Sequence, residues 1–287
     1  MRVAAMQMSL SPGDPARNLG MASRWVEAAA GEGADLVLLP ELLAAGYRFD
    51  DDLAESVTDG PTVTALTELA ADHGLTVVAG VLERGAPRGL LHDTAVVVTS
   101  DGPVGAVRKA RLWGDEHGVF TKGPLARPVV EVAGVRLGVM ICVEVVYPEI
   151  ARQLAADGAD LLVVVSAFGA PRAPVFDLMT RARAAENGCF LAVANLCGDD
   201  GERAFCGLSR VVGPRGDVRV DAGDQGGVAM VDIDLALSCE RAGAHAVAAG
   251  HRKRALQAYG LALENWEQLG DQERADALVA HLRTLEG

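Results

Sequence analysis

The stretch GVRLGVMICVEVVYPEIARQLAADGADLLVVVS, residues 134–166, contains the pattern on which the fold prediction rests. Its apolar run Val135–Ile141 has the length of a buried strand, and Pro148 favours the start of a helix that we expect to end at Gly158. Cys142 therefore lies at a turn between a strand and a helix. A side chain at such a turn projects from the carboxyl end of the strand, near backbone N–H groups that stabilise negative charge. Both a nucleophile and an inert core thiol are compatible with this position.

The composition indicates a globular protein with a large buried core. The chain has 287 residues, of which 50% are hydrophobic and 4% are aromatic. Its formal net charge of −13 repels phosphate backbones, and its one basic cluster, residues 251–254, is typical of a solvated helix start. No apolar run reaches the roughly 18 to 20 residues of a membrane span. We therefore expect neither a nucleic-acid partner nor a membrane partner.

The N-terminus and the cysteines bear on the cellular compartment. Residues 1–10, MRVAAMQMSL, lack a long apolar region and a small-residue cleavage site, so we expect no signal peptide. The five cysteines are odd in number and lack paired metal-ligand spacing, which favours reduced thiols. We expect a cytoplasmic protein without a metal site.

The order of predicted elements repeats in the second half of the chain. The first half begins with a strand at 2–8, a helix with Asp14 as its N-cap, and a buried strand in GADLVLLPE, residues 33–41, which GADLLVVVS at 158–166 echoes. The further predicted elements are a helix at 61–72, a strand at 75–82, a hairpin at 94–109, a helix at 175–187, a strand at 189–195 and a hairpin at 208–220. Each copy leaves one apolar sheet face uncovered, so we predict an α/β fold in which two sheets pack face to face with helices outside, a four-layer α-β-β-α sandwich.

The repeat suggests a second site residue. Glu41 and Ser166 lie at equivalent strand ends, and active groups in such sheets cluster beyond the carboxyl ends of strands. Glu41 directly follows the run LVLLP, residues 36–40, where burial would raise its pKa and make it suitable as a base. An exposed acid in the following loop is the alternative interpretation.

Lys109 is the third candidate, at the end of the first hairpin. Arg108, Lys109 and Arg111 also form a charge run of the kind that is commonly solvated. Lys109 becomes a candidate site residue only because Glu41 and Cys142 are candidates as well.

Together these residues resemble the nitrilase superfamily of carbon–nitrogen hydrolases. The resemblance rests on Glu41 in LPEL, Lys109 in RKARLW followed by Glu116, and Cys142 in ICVEVVYPE, with supporting segments at 181–198 and 205–217. It covers about residues 2 to 240 and implies the same four-layer sandwich. It also implies a homodimer or higher homo-oligomer, with no cofactor.

The resemblance implies a Glu–Lys–Cys triad. Cys142 would be the nucleophile and Glu41 the general base and acid, while Lys109 and the backbone N–H of Val143 would stabilise negative charge on the substrate oxygen. Glu116 would be an auxiliary acid that holds Lys109 and the substrate. A thiol of pKa about 8.5 is mostly protonated at neutral pH, so it needs such a base and such a cation.

The pocket departs from the usual family pattern. Related amidases often have an aromatic residue and then Asp after the nucleophile, whereas this chain has Val143 and Glu144. We expect Val143, Glu144 and Ser166 to contact the substrate, and the aromatic side chains to form walls, although each aromatic also fits a simple packing role. The expected wall residues are Tyr47, Phe49 and Trp113.

The expected function is hydrolysis of a small linear primary amide to an acid and ammonia. The Lys109–Glu116 loop, RARAAENGCF and CGLS resemble aminopentanamidase-type enzymes, which makes an amide with a cationic tail, such as 5-aminopentanamide or 4-guanidinobutanamide, the first substrate hypothesis. An N-carbamoyl amine hydrolase and a nitrilase are alternatives, because the same thiol can attack either group. A non-catalytic interaction protein that keeps the fold is the alternative from another class.

Residues 251–287 lie outside the resemblance, and we place the domain boundary between residues 250 and 251. Their apolar residues recur at spacings of three or four around Gly270, which predicts a helical hairpin. We expect its apolar stripes to pack on the sandwich or on a neighbouring subunit. The stripes comprise Leu256, Tyr259, Leu263, Trp266, Ala275, Leu278, Leu282 and Leu285.

Overall fold

Two six-stranded sheets form the centre of the molecule, which the computed structural model describes for residues 1–87, 89–236, 240, 243–244, 247, 250 and 252–286. In spatial order, the strands of the first sheet are Gly227–Asp232 (β14), Arg2–Gln7 (β1), Leu36–Leu38 (β2), Thr76–Arg84 (β3), Leu91–Thr99 (β4) and Gly102–Arg108 (β5). β1, β2 and β3 are parallel, and the remaining pairs are antiparallel.

The second sheet repeats this mixed pattern. In spatial order, its strands are Val218–Asp221 (β13), Arg210–Val212 (β12), Phe190–Asn195 (β9), Leu161–Ser166 (β8), Val135–Ile141 (β7) and Val130–Val132 (β6). β7, β8 and β9 are the parallel strands. A separate short ribbon joins Cys197–Asp199 (β10) to Ala204–Cys206 (β11).

The α-helices whose bounds the structure describes surround the sheets or follow them. They are Pro15–Gly31 (α1), Pro61–His73 (α2), Pro148–Ala156 (α3), Ala173–Asn187 (α4), Arg252–Leu269 (α5) and Gln272–Glu286 (α6). Local signals set several of their ends: the Asp14 side chain accepts a hydrogen bond from the Arg17 N–H at 3.1 Å, and Gly74 and Gly188 end α2 and α4 in the left-handed conformation.

The two sheets pack face to face, with helices on both outer sides. Val3 and Leu38 of the first sheet share one buried cluster with Leu137 and Val163 of the second and with Leu154 of α3. On its other face, the first sheet packs against α1 and α2 through side chains such as Val26 and Leu66. The predicted four-layer sandwich is therefore confirmed, and its strands are apolar on both sides because both faces of each sheet are covered.

The main element that the sequence pattern did not predict is β14. It pairs with β1 along its whole length, from Arg2 opposite Asp232 to Gln7 opposite Gly227. Its burial alternates only weakly, because it is an edge strand. β14 belongs to the end of the second repeat but completes the first sheet, so the two halves interlock.

The C-terminal hairpin is present as predicted, and its described residues form a small core of their own. Trp266 on α5 and Leu278 on α6 are buried in a cluster of the hairpin itself, joined by Ala236 and by no residue of the two sandwich clusters. Leu263 and Leu282 are half-buried at its edge. The apolar stripes of the described residues therefore pack mainly against each other. None of the described helices is long and apolar enough to cross a membrane.

Candidate active site

Cys142 lies where β7 ends and a short 3-10 turn, Cys142–Val146, begins. Its φ of 48° is in the left-handed region, which costs a residue with a side chain about 1 to 3 kcal/mol and is common at functional sites. Cys142 is 5% exposed, and the backbone N–H of Ala167 is close enough to its thiol to act against the rise of the thiol pKa. The predicted turn between strand and helix is confirmed.

Lys109 follows β5 and its side chain is completely buried. Nζ lies 2.5 Å from Oε1 of Glu41, 2.8 Å from Oε1 of Glu116 and 2.9 Å from Oδ2 of Asp93. Its neighbour Arg108 points the other way and pairs with Glu83. Lys109 is therefore not part of a solvated charge run, because successive side chains of a strand point to opposite faces.

Glu41 is fully buried in the turn after β2. Its N–H lies 3.4 Å from the carbonyl oxygen of Ser166, so the two equivalent strand ends of the repeat meet in space. On the other side Gly80 lies so close that an added Cβ would be 2.5 Å from the Glu41 Cα. Glu41 is thus held between the two sheets and is not an exposed loop acid.

Glu116 lies in the 3-10 turn Gly114–Gly118 and is 1% exposed. Besides Lys109, the Tyr47 hydroxyl donates to Oε1 at 2.7 Å and the Trp113 N–H donates to Oε2 at 2.9 Å. Burial, with the nearby Glu41 and Glu116 charges, raises the pKa of Tyr47 far above its ordinary value, so the hydroxyl remains a donor.

Burial and the surrounding charges give Lys109 and Cys142 different protonation states. Burial alone would lower the pKa of Lys109, but the acidic groups that surround the ammonium outweigh it and hold that pKa well above its ordinary value. Burial, followed by the Glu41 charge, raises the pKa of the Cys142 thiol well above its ordinary value, against the opposing effect of Lys109. The resting site therefore contains an ammonium and a neutral thiol at neutral pH.

Asp93 is a member of the cluster that sequence reasoning missed. It lies on β4 directly before Thr94, which pairs with Arg108, so it is next to Lys109 across the hairpin. The register slips by one residue between Val97 and Val98, and an unbroken register would have placed His92 there instead. An acid opposite Lys109 across the predicted hairpin could have indicated Asp93, but the bulge shifts the register and makes this pairing hard to predict.

One carboxylate oxygen each of Glu41, Asp93 and Glu116 lies within 4.8 Å of the others, which is close enough for a shared metal ion. The Lys109 ammonium is 2.5 to 2.9 Å from an oxygen of each. The Lys109 ammonium therefore already offsets negative charge among these three carboxyl groups.

Glu144 has a different position from the one expected for a substrate contact. Its two oxygens accept hydrogen bonds from Arg127 at 2.6 and 2.7 Å, and also from the N–H groups of Ala110 and Ile141. All of these groups belong to the protein, so Glu144 links the Cys142 turn to the chain that follows Lys109. Sequence reasoning missed Arg127, because no local pattern links it to Glu144.

A cavity of about 390 Å³ opens beside the cluster. The three expected wall residues Tyr47, Phe49 and Trp113 line it, whereas Val143, Glu144 and Ser166 do not. Glu116 and Ala167 join the cavity to Lys109 and Cys142. The other lining residues are Gly114, Asp115, Gly169, Pro171, Glu202, Arg203, Ala204 and Phe205.

The chain is similar to known carbon–nitrogen hydrolases over most of its length. Residues 2–241 match the family described as carbon-nitrogen hydrolase. The chain is 33% identical to a nitrilase of Pyrococcus abyssi over 242 residues, which is 82% of this chain and 90% of that protein. It is 30% identical to the 2-oxoglutaramate amidase of Bacillus subtilis over 246 residues, 83% of this chain and 92% of that protein.

A solved structure agrees in fold. The amidase from Nesterenkonia sp. superposes with a TM-score of 0.74 at 33% identity, covering 81% of this chain and 90% of that one. Variants of that amidase have been solved in complex with butyramide and with acrylamide added at the active-site cysteine.

Proposed function

The chain belongs to the carbon–nitrogen hydrolase family, the nitrilase superfamily, and from this we propose that it is an amidase that hydrolyses a small primary amide to a carboxylic acid and ammonia. The observation that carries the proposal is the buried Lys109 ammonium between Glu41 and Glu116, next to the strained Cys142 turn. The butyramide and acrylamide bound by the similar amidase support a small amide as the substrate.

In the first half of the reaction, the Cys142 sulfur attacks the amide carbon and Glu41 takes the thiol proton. Because the thiol is neutral at rest, proton transfer has to accompany attack. Negative charge develops on the amide oxygen, and the Lys109 ammonium and the Val143 N–H stabilise it. In other enzymes one such donor contributes roughly 3 to 4 kcal/mol.

In the second half, the tetrahedral intermediate collapses and the carbon–nitrogen bond breaks. Glu41 returns its proton to the leaving nitrogen, so ammonia departs and Cys142 stays acylated. A water molecule then attacks the thioester while Glu41 takes its proton, and the acid product leaves as the thiol is restored. Glu116 holds Lys109 and Tyr47 throughout, which keeps the ammonium in place.

The charges of the cavity wall favour a neutral or cationic tail on the amide. Asp115, Asp200 and Glu202 lie 3.5, 3.9 and 3.2 Å from Arg203, so three carboxylates surround this one guanidinium at the wall. Arg172 stacks 4.2 Å from the Trp113 ring and is the competing positive charge near the wall. A cationic tail such as that of 5-aminopentanamide would interact with Asp115 and Glu202, which fits the substrate hypothesis drawn from the sequence.

Ammonia release from a matched panel tests both parts of the proposal. The panel contains butyramide, 5-aminopentanamide, 4-guanidinobutanamide, an amide of equal length that ends in a carboxylate, a carbamoyl amine and a nitrile. We expect the neutral and cationic amides to turn over, with Cys142→Ala as the inactive control. Turnover of only the carbamoyl amine or the nitrile would contradict the amidase assignment, and preference for the carboxylate amide would contradict the tail assignment.

We also propose that the chain acts as a homodimer or higher oligomer in the cytoplasm. Support for association comes from Leu178 on α4 and Val218 on β13, which are large apolar side chains exposed by 58% and 40%. The free thiols of Cys142, Cys197 and Cys206 suit a reducing compartment. The family match ends at residue 241, which supports a domain boundary near residue 250. Light scattering would give the mass in solution, and a monomer would contradict the first of these proposals.

A further inference from the structure

The three carboxylates around Lys109 differ in their hydrogen-bond donors. Glu116 receives three hydrogen bonds, on both of its oxygens. Glu41 receives one, from Lys109 to Oε1, and its buried Oε2 has no donor among the described residues. Asp93 lies within ion-pair distance of Lys109, yet neither of its oxygens receives a hydrogen bond from the described residues. Buried carboxylate oxygens are ordinarily satisfied, so a donor for Glu41 and Asp93 remains to be identified.

A proton shared by Asp93 and Glu41 would supply that donor. One oxygen of each carboxyl group lies within 4.8 Å of an oxygen of the other, and a proton on one of them would allow the hydrogen bond that two ionised carboxylates cannot form. Full ionisation would also place three negative charges around the one ammonium of Lys109 in a site without solvent exposure. Paired buried carboxyl groups avoid that cost by keeping one proton between them.

The surroundings indicate that Asp93 holds the proton. Burial raises the pKa of Asp93 well above its ordinary value, and although the Lys109 charge opposes this, the Glu41 charge and hydrogen bond add to it. Asp93 is fully buried on β4, whereas Glu41 has the shorter contact with the ammonium. The titratable or charged groups that face this pair, from all of the elements packed around it, are Lys109, Glu116, Cys142 and Tyr47.

We propose that Asp93 is a positioning residue of the active site, whose protonated carboxyl group donates a hydrogen bond to Glu41 and holds it ready to take the Cys142 proton. This inference rests on the proposed role of Glu41. A neutral Asp93 adds no third negative charge beside Lys109, so more of the ammonium charge remains for the substrate oxygen. Asn has nearly the same shape and is also a neutral donor, so it can replace this function, whereas Ala cannot.

Kinetics of Asp93→Asn and Asp93→Ala provide the first test. We expect kcat of Asp93→Asn to stay within about threefold of the parent, and that of Asp93→Ala to fall at least about tenfold with little change in KM, because the lost contact acts on the chemical step. Glu83→Gln is the matched control, since Glu83 is a buried carboxylate of the same sheet that pairs with Arg108 and Thr94. It should leave kcat unchanged.

Thermal melting from pH 4 to pH 8 provides a second test that needs no substrate. A carboxyl group whose pKa is raised in the folded state makes the protein less stable as pH rises above the pKa of that group in the unfolded state, which is about 3.9 for Asp. The melting temperature of Asp93→Asn, relative to that of the parent protein, should therefore increase as pH rises. Arg108 and Thr94 outweigh burial and lower the pKa of Glu83, so Glu83→Gln should lose melting temperature over the same range.

The opposite result would overturn the proposal. If Asp93→Asn loses as much kcat as Asp93→Ala, or melts below the parent at pH 7, then Asp93 is an ionised partner of Lys109 and not a neutral donor. Because melting is independent of turnover, a failure of amide hydrolysis in the parent protein and a failure of the Asp93 proposal would be seen separately.

Discussion

Cys142 shows how one residue depends on its surroundings for reactivity. The turn places the thiol beside Glu41, but burial and the Glu41 charge raise its pKa, so the thiolate is scarce at neutral pH. Lys109 acts in the other direction and stabilises negative charge. The nucleophile is thus generated only as Glu41 accepts the proton, and this links the rate to the ionised state of Glu41.

Replacing Cys142 by Ala should abolish amide turnover and leave the fold intact. Loss of a covalent nucleophile costs several powers of ten in rate, and Ala fits the space of the thiol. The measurement is ammonia release together with the far-ultraviolet circular dichroism spectrum. Cys206→Ala is the control, since Cys206 does not line the cavity, and it should retain activity. A folded Cys142→Ala protein with more than about one per cent of parental activity would show that another group attacks the amide.

Replacing Lys109 by Met should lower both activity and stability. Removing one partner of a buried ion pair costs about 3 to 5 kcal/mol, and here Glu41 and Glu116 would lose their common cation. Uncompensated carboxylates have raised folded pKa values, so the loss should grow as pH rises above about 4. Melting curves of the variant at pH 4.5 and pH 7.5 check this sign. An equal loss of melting temperature at both pH values would contradict the role of Lys109 as counter-ion.

Glu41→Gln separates chemistry from binding. Gln keeps the shape of Glu41 but cannot accept the thiol proton, so kcat should fall by at least about a hundredfold while KM changes little. Steady-state kinetics with the best amide of the panel give the two constants. A raised KM with an unchanged kcat would instead assign Glu41 to substrate binding.

At the scale of elements, the position of Glu41 depends on the strand beside it. Gly80 lies in the middle of β3, accepts from the Leu43 N–H and donates to the Pro40 carbonyl, so it holds the turn that carries Glu41. A Cβ at this position would lie 2.5 Å from the Cα and 2.9 Å from the carbonyl carbon of Glu41, and no side-chain movement can relieve contacts with the backbone.

Gly80→Ala should therefore displace Glu41 and reduce kcat by roughly a hundredfold, the loss expected from a misplacement of about 1 Å. Gly20→Ala is the matched control, because Gly20 lies in α1 with nothing within 4 Å of an added Cβ. That change should be stabilising by roughly 0.5 to 1 kcal/mol, since Ala is favoured inside helices. Parental activity in Gly80→Ala would mean that the turn can shift without moving the carboxylate.

Elements defined by local signals could be predicted from the sequence, and those defined by distant partners could not. Asp14 and Pro148 fixed helix starts because capping and the proline ring act within one turn. Asp93 escaped prediction because a bulge shifts its register. The sequence pattern predicts a substrate contact for Glu144 and gives no sign of its ion pair with Arg127, which lies 17 positions away. Burial and pairing of charges are properties of the assembled sheets.

At the scale of the whole molecule, the C-terminal hairpin has its own small core. Two truncations test this packing. A chain ending at Gly250 lacks both helices and should keep its activity and nearly its melting temperature. A chain ending at Gly270 keeps α5 but removes the partners of Trp266, and burial of one such side chain is worth roughly 1.5 to 3 kcal/mol, so this chain should aggregate more readily. A large fall in melting temperature for the shorter chain would show that the hairpin covers the sandwich or a partner subunit.

The pairing of β1 with β14 also constrains synthesis. Arg2 and Asp232 form an ion pair although they lie 230 positions apart, and β1 has β2 on its other side. At about 5 to 20 residues per second, the ribosome needs roughly 10 to 50 s to make that interval. During this time β1 has an open edge, which other nascent chains or chaperones can bind. The first sheet can therefore be completed only after β14 has left the exit tunnel.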